Sequence, residues 1–205
     1  MTGTLRWVLV CRNRELSRAW RAHFATVPEV EIVEGDITTF ECDAIVSPAN
    51  SFGFMDGGLD DKLTRRFGLA LQERVQAEIA RRPLRELLVG EALVVPTGCG
   101  QTPWLIVAPT MRVPMRLRQS VSAYLAMKAI LCAAISHREA PPIQRIAVPG
   151  LGTGVGRLDF ETCARQMHAA YSEIVMGTPS YPKDFAEAQH RHVDLNPGEI
   201  DLSSP

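Results

Sequence analysis

The stretch from residue 46 to residue 68, VSPANSFGFMDGGLDDKLTRRFG, constrains the fold more than any other part of the chain. The run at residues 43–46, DAIV, is short and apolar, which is typical of a buried strand. Downstream, Leu59, Leu63 and Phe67 recur at four-residue spacing, which places them on one face of a helix. The polar residues between these patterns therefore lie at a strand-to-helix switch, where ligands usually bind in parallel α/β sheets.

The same alternation of strand and helix patterns continues along the chain. Strands are predicted at residues 5–11, 30–37, 43–46, 92–96, 104–108 and 145–149, and helices at 15–24, at 59–79 with a break at Gly68, at 120–137 and at 160–174. The repeated order of strand, helix and strand indicates βαβ units and hence an α/β fold.

A chain of 205 residues is long enough for one α/β domain with a substantial core. We expect that domain to span residues 1–178, with an N-terminal β-α extension at residues 1–28. The remainder, residues 179–205, has prolines and weak periodicity, and we expect a tail that is packed on the surface or partly disordered.

Composition limits the classes of function. A formal net charge of -1 argues against a general nucleic-acid-coating protein, although a local basic surface at Arg112, Arg116 and Arg118 stays possible. No stretch approaches the ~20 apolar residues of a membrane span. The five cysteines are scattered without a CxxC pair, which disfavours disulfide frameworks and zinc sites and favours a reducing, cytoplasmic location.

A glycine-rich segment, GLGTGVG at residues 150–156, follows the last predicted core strand. Glycines at alternate positions leave backbone N–H groups free to point into a concavity, and such a nest binds anions, above all phosphates. The spacing does not satisfy the GxGxxG fingerprint, and no GK[ST] of a Walker loop follows. The alternative interpretation is a turn that joins strand to helix.

Three further features follow predicted strands: a glycine pair at the start of a helix, and one asparagine and one aspartate at strand ends. Gly57 and Gly58 would form a second nest, facing the first if the strands before the two loops are neighbours. Asn50 could hold a hydroxyl pair such as a ribose diol, or it could cap its own loop. Asp36, after a glycine, could accept a hydrogen bond from an exocyclic amine beside the Ile37 N–H, or it could form a turn.

Taken together, four motifs resemble the macrodomain family, the ADP-ribose-binding fold. They are GDIT at residues 35–38, DAIVSPAN at 43–50, GGLDDKL at 57–63 and PGLGTGVG at 149–156, in the family's order and spacing across roughly residues 30–176. The resemblance implies a three-layer α/β/α domain around a mixed, mostly parallel central sheet.

The resemblance also implies roles for individual residues. Asp36 would recognise the adenine amino group with backbone contact from Ile37, Asn50 would hold the distal ribose, and Asp60 would position a water that attacks the anomeric carbon. Gly57 and Gly58 would approach that sugar and the diphosphate. The other side of the diphosphate would be wrapped by Gly152, Thr153, Gly154, Val155 and Gly156.

The sequence departs from the family pattern in the first of these loops. Residues 47–50 read SPAN where many members have NAAN, and only two glycines follow, with Asp56 before them. Whether Asp56 or Asp60 faces the distal ribose is left open, and so is the acceptor.

Three interpretations remain. The first is a hydrolase that releases ADP-ribose from an acceptor without a metal or other cofactor, with Asp60 and Asn50 as its catalytic residues. The second is a non-catalytic ADP-ribose reader. The third and weakest is a binder of nucleotides or RNA ends.

Overall fold

The short β-branched runs form a mixed six-stranded sheet in a computed structural model that describes residues 5–179 and 181–197. The strands are β1 (Arg6–Cys11), β2 (Val30–Glu34), β3 (Ala44–Ser47), β4 (Leu93–Pro96), β5 (Trp104–Val107) and β6 (Arg145–Val148). Their order is β2-β1-β6-β3-β5-β4, with every neighbouring pair parallel except β4 and β5. The mixed, mostly parallel sheet is confirmed.

Six helices are described, and the first five of them lie where the sequence predicts them. They are α1 (Arg14–His23), α2 (Gly58–Phe67), α3 (Ala70–Ala80), α4 (Ser122–Ser136), α5 (Phe160–Ile174) and α6 (Phe185–Asp194). The break between α2 and α3 falls at Gly68 as expected, because this residue has a φ of 88°, which glycine adopts without steric cost. The Asp159 carboxylate caps α5 by accepting from the Thr162 N–H.

Alternation along the strands divides the core into two clusters. In β1, Trp7 and Leu9 pack with α1, α4 and α5, whereas Val8 and Val10 pack on the opposite face with α2 and α3. Because successive strand residues point to opposite faces, each inner strand buries both of its sides. The result is the three-layer α/β/α arrangement.

The N-terminal β-α unit supplies an inner strand of this sheet. β1 pairs with β2 on one side, where Trp7 is opposite Val30, and with β6 on the other, where Trp7 is opposite Ile146. The described part of the expected extension is therefore integral to the sheet, and the C-terminal end of β1 reaches the same edge as the C-terminal ends of β2 and β6.

Two elements differ from the sequence-based expectation. The strand predicted at residues 30–37 ends at Glu34, because Asp36 caps a short 3-10 turn, Ile37–Thr39. In the tail, α6 was not predicted, and the fully buried Gln166 donates to the Leu195 carbonyl beyond it. Residues 1–4, 180 and 198–205 lie outside the described residues, so the expectations for them stay predictions.

Candidate functional site

The loops after β1, β2, β3 and β6 meet at one edge of the sheet and form a cleft of about 500 Å³. This volume is within the usual range of small-molecule sites. Every residue predicted for the site lines this cleft: Asp36, Ile37, Asn50, Gly57, Gly58, Asp60, Gly152, Thr153, Gly154, Val155 and Gly156. The two glycine-rich loops were expected to face each other if the strands before them are neighbours. That condition is met, because β3 and β6 are paired in parallel.

The glycine-rich loop after β6 is folded tightly over one side chain. A Cβ atom added at Gly152 or Gly156 would lie 2.7 or 2.8 Å from Leu117 Cδ1, and at Gly156 it would also meet the Gly152 carbonyl oxygen. The Leu117 N–H donates to the Gly156 carbonyl over 2.7 Å and fixes the loop. Glycine is therefore required at both positions.

The same loop presents backbone donors. Across the described residues, the N–H groups of residues 152–156 make no hydrogen bond to a protein acceptor. Gly154 is exposed, and a Cβ atom added there would contact nothing within 4 Å. Free N–H groups around a concavity are the donor set that an anion requires.

Helix α2 begins at the facing side of the cleft. Gly57 occupies the N-cap position without a side-chain hydrogen bond, and Gly58 has a φ of 60°. Since neither residue has a side chain, the positive end of the α2 dipole is open to the cleft that the glycine loop after β6 also lines.

Asp60 lies in the first turn of α2 and is only 7% exposed. Its Oδ1 accepts a 2.5 Å hydrogen bond from the Ser47 hydroxyl at the fully buried end of β3. The pKa of Asp60 is raised to about 6. Burial raises this pKa most, the Ser47 hydrogen bond lowers it, and the charge of Asp56 raises it. Asp60 is therefore largely ionised at pH 7 but titrates just below neutrality.

Ser47 was missed as a site residue, because a serine at the end of a strand carries no recognisable signal by itself. Ser47 occupies the position at which many members of the resembling family have the first asparagine of NAAN, and this difference alone does not predict a contact with Asp60. Asp56, the alternative to Asp60, also lines the cleft, but its side chain is exposed. Of the two aspartates, Asp60 is the one held in a fixed position by a buried donor.

Asn50 lines the cleft, yet its side-chain amide is bonded within its own loop. Its Nδ2 donates to the Phe54 carbonyl over 2.8 Å, and its Oδ1 accepts from the N–H groups of Phe52 and Phe54. An isolated bridge to Met111 holds the backbone. The loop-capping interpretation of Asn50 thus describes its contacts in this structure, and its ribose-binding role stays a prediction.

Asp36 follows β2 and receives three donors. Its Oδ1 accepts from the N–H and hydroxyl of Thr38, at 3.0 and 2.8 Å, and its Oδ2 pairs with the Arg12 guanidinium. Burial raises the pKa of Asp36, but the Thr38 bonds and the Arg12 charge outweigh that effect, so the pKa is lowered. Arg12, which the sequence did not indicate, also lines the cleft.

The loop that contains Arg112, Arg116 and Arg118 offers fewer unpaired charges for nucleic-acid binding than its sequence suggested. Arg112 forms a bidentate pair with Glu86, at 2.8 and 2.6 Å, and lies over the Phe52 ring. Arg116 and Arg118 are exposed. The interpretation as an RNA-end binder therefore rests on two arginines instead of three.

Other site types find no support in the residues that are described. No three His, Cys, Asp or Glu side chains there are grouped closely enough to hold a metal ion. None of the described helices has both the length and the apolar composition of a bilayer-spanning segment. All five cysteines are free thiols, and the cytoplasmic location stays a prediction.

Comparison with known proteins gives consistent matches. The family model described as Macro domain matches residues 46–167. An uncharacterized protein of Aquifex aeolicus is 35% identical over 139 residues, which cover 68% of this chain and 78% of that protein. An O-acetyl-ADP-ribose deacetylase of Salmonella newport is 28% identical over 128 residues, 62% of this chain and 68% of the deacetylase.

Solved structures give the same result for the fold. A variant of the Oceanobacillus iheyensis macrodomain, solved with ADPR, superposes with a TM-score of 0.55 at 20% identity. The superposition covers 66% of this chain and 72% of that one. At this level of identity the likeness concerns the fold alone.

Proposed function

The chain belongs to the macro domain family, and from that premise we propose that its cleft binds ADP-ribose and hydrolyses ADP-ribose linkages. The observation that carries the proposal is the order of the chemistry along the sheet edge. Across β2, β1, β6 and β3, that order is the Asp36 carboxylate, the glycine loop with free N–H groups, and the buried Asp60. ADP-ribose presents an adenine, a diphosphate and a distal ribose in the same order.

The spacing supports one extended ligand. Three strand intervals of ~4.8 Å separate β2 from β3, so the two ends of the cleft are roughly 14 Å apart. In the proposed pose, Asp36 accepts from the adenine amino group and the Ile37 backbone lies beside the base. The N–H groups of residues 152–156 and the N-terminus of α2 bind the diphosphate from opposite sides.

Hydrolysis in this pose begins with a water held by Asp60 next to the anomeric carbon of the distal ribose. The water oxygen forms a bond to that carbon while the bond to the acceptor oxygen breaks, and the acceptor leaves with its bonding electron pair. The water proton passes to Asp60 or to a diphosphate oxygen. A carboxylate with a pKa of about 6 is ionised at pH 7 and still basic enough to assist.

Turnover is tested by release of ADP-ribose from an ADP-ribosylated protein. We expect Asp60→Ala to lose release, while Asp61→Ala retains it. Asp61 is a matched control, because it lies in the same turn of α2 but pairs with Arg65. Equal release by the wild type and Asp60→Ala would remove Asp60 from the mechanism.

Binding is tested separately by calorimetry with ADP-ribose. We expect Gly156→Ala to abolish measurable binding, because the added methyl would collide with Leu117 and with the Gly152 carbonyl. Gly100→Ala is the matched control, because its methyl would meet open space and Gly100 does not line the cleft, so its affinity should stay within about threefold of the wild type. Wild-type protein that does not bind ADP-ribose would contradict the whole proposal.

One observation favours the alternative, a non-catalytic reader. The oxygen of the Asn50 amide accepts from the Phe52 and Phe54 N–H groups, and one of its two amide hydrogens is donated to the Phe54 carbonyl, so most of the amide is bonded within its own loop. Tight ADP-ribose binding without release from any linkage tested would favour the reader over the hydrolase.

A further inference from the structure

Arg12 is placed beside Asp36 by the register of two parallel strands. Cys11 of β1 lies opposite Glu34 of β2, and the Gly35 N–H donates to the Cys11 carbonyl over 2.8 Å. Arg12 follows Cys11 directly, and Asp36 follows Gly35. The two side chains thus leave the sheet edge together and pair at the end of the cleft.

The turn that carries Arg12 is held on both sides. Asn13 caps α1, with its Oδ1 accepting from the N–H groups of Glu15 and Leu16 at 2.8 and 3.0 Å. The Cys11 thiol donates to the Asn13 carbonyl. Arg12 therefore extends from a fixed backbone between a paired strand and a capped helix, and its position does not depend on a loose loop.

The ion pair contributes little to the stability of the fold. The Arg12 side chain is 67% exposed and that of Asp36 is 23% exposed, and exposed ion pairs are worth little in water. Both side chains nevertheless line the cleft, whose walls at this end include Val10, Leu16 and Ile37. What the pair determines is the shape and charge of the cleft.

We propose that Arg12 is a second base-recognition residue, whose guanidinium stacks on the adenine while Asp36 accepts from its amino group. This rests on the proposed function, since it assumes the same ligand pose. A guanidinium is planar and delocalised, and it stacks on aromatic faces. Pairing with Asp36 restrains it next to the edge of the base that Asp36 contacts.

The residue comes from a part of the chain that the family model does not match. The family model matches residues 46–167, whereas Arg12 lies at the end of β1. The inner strand β1 is therefore what brings this arginine into the cleft. Arg12 would make base recognition in this chain depend on its N-terminal unit.

The test compares Arg12→Ala with Arg14→Ala, using ADP-ribose as the calorimetric ligand. Arg14 is the matched control, because it is exposed two residues away at the start of α1 and does not line the cleft. We expect Arg12→Ala to weaken ADP-ribose binding roughly tenfold and to raise KM with kcat unchanged. Arg14→Ala should match the wild type, and the melting temperatures of all three proteins should agree.

A second variant separates stacking from charge. Arg12→Lys keeps the positive charge next to Asp36 but lacks the planar group, so it should recover only part of the lost affinity. Full recovery by Arg12→Lys, or wild-type affinity in Arg12→Ala, would overturn the proposal. Failure of the wild type to bind ADP-ribose would instead overturn the proposed function, so the two failures are distinguishable.

Discussion

Asp36 and Asp60 are carboxylates at opposite ends of one cleft, and their surroundings push their pKa values in opposite directions. Asp36 is partly exposed, accepts from Thr38 twice and pairs with Arg12, so its pKa is lowered. Asp60 is almost fully buried, accepts from the Ser47 hydroxyl and lies near Asp56, so its pKa rises to about 6.

The comparison shows how one side-chain type can serve two purposes. Where hydrogen-bond donors and a cation lower the pKa of a carboxylate by more than burial raises it, the carboxylate stays ionised and acts as a fixed acceptor. Where burial dominates, it exchanges a proton near neutral pH, as a group that assists proton transfer must do. Binding is thus expected at the Asp36 end of the cleft and chemistry at the Asp60 end.

The largest expected effect separates the two ends by kinetics. We expect Asp60→Asn to lower kcat by roughly 100-fold or more, with ADP-ribose affinity nearly unchanged. Asp36→Asn should do the opposite, weakening affinity about tenfold with kcat unchanged, because a charged acceptor is lost. Calorimetry and initial rates measure both, and loss of the same parameter in both variants would break the comparison.

The next effect concerns the pH dependence of turnover. The Ser47 hydrogen bond lowers the pKa of Asp60, so Ser47→Ala should raise that pKa further. The acid limb of the kcat profile should then move from near pH 6 to about one pH unit higher, as expected for a lost bond to a charged group. Thr38→Val is the control, because it removes the hydroxyl donor to Asp36 and should leave this limb in place.

A third prediction concerns stability. Because the pKa of Asp60 is raised from 3.8 to about 6, the folded state binds the proton more tightly, and stability falls as pH rises through that window. The ionised form costs roughly 3 kcal/mol at pH 7. Asp60→Asn should therefore raise the free energy of unfolding at pH 7, by about 1 kcal/mol after its altered hydrogen bonding is allowed for.

Urea unfolding at two pH values checks this prediction. The stability advantage of Asp60→Asn should shrink between pH 7 and pH 5, where the wild-type carboxyl becomes protonated. An advantage that is the same at both pH values would show that Asp60 does not titrate in this range.

The smallest expected effect is that of pH on ADP-ribose affinity, which should stay nearly constant. Since the pKa of Asp36 is lowered, this carboxylate stays ionised through pH 5–8, so ADP-ribose affinity should change less than about twofold across that range. In the same set of pH values, the turnover rate should decrease once the pH is lower than about 6. An affinity that drops in parallel with turnover would place Asp60 in ground-state binding.

The features that local sequence encodes were predictable. The Gly68 break, the Asp159 cap and the positions of the glycine loops each follow from residues that are near neighbours in the chain. The meeting of those loops at one edge follows from the parallel order of β3 and β6.

The features that depend on tertiary contacts were not predictable. Ser47 and Asp60 are thirteen residues apart, and their hydrogen bond depends on how α2 packs against the end of β3. Arg12 meets Asp36 only because of the register between β1 and β2. Helix α6 has no fully buried residue, so hydrophobic periodicity gave little sign of it.

Because β1 is an inner strand, the segment that the family model matches is shorter than the segment needed to form the sheet. Residues 46–167 match the family model, yet taken alone they would lack β1, β2 and half of β3. β6 would then expose the edge that Arg6 to Leu9 of β1 now cover, and an unpaired apolar strand invites aggregation. An autonomous version of this domain must therefore start at or before β1.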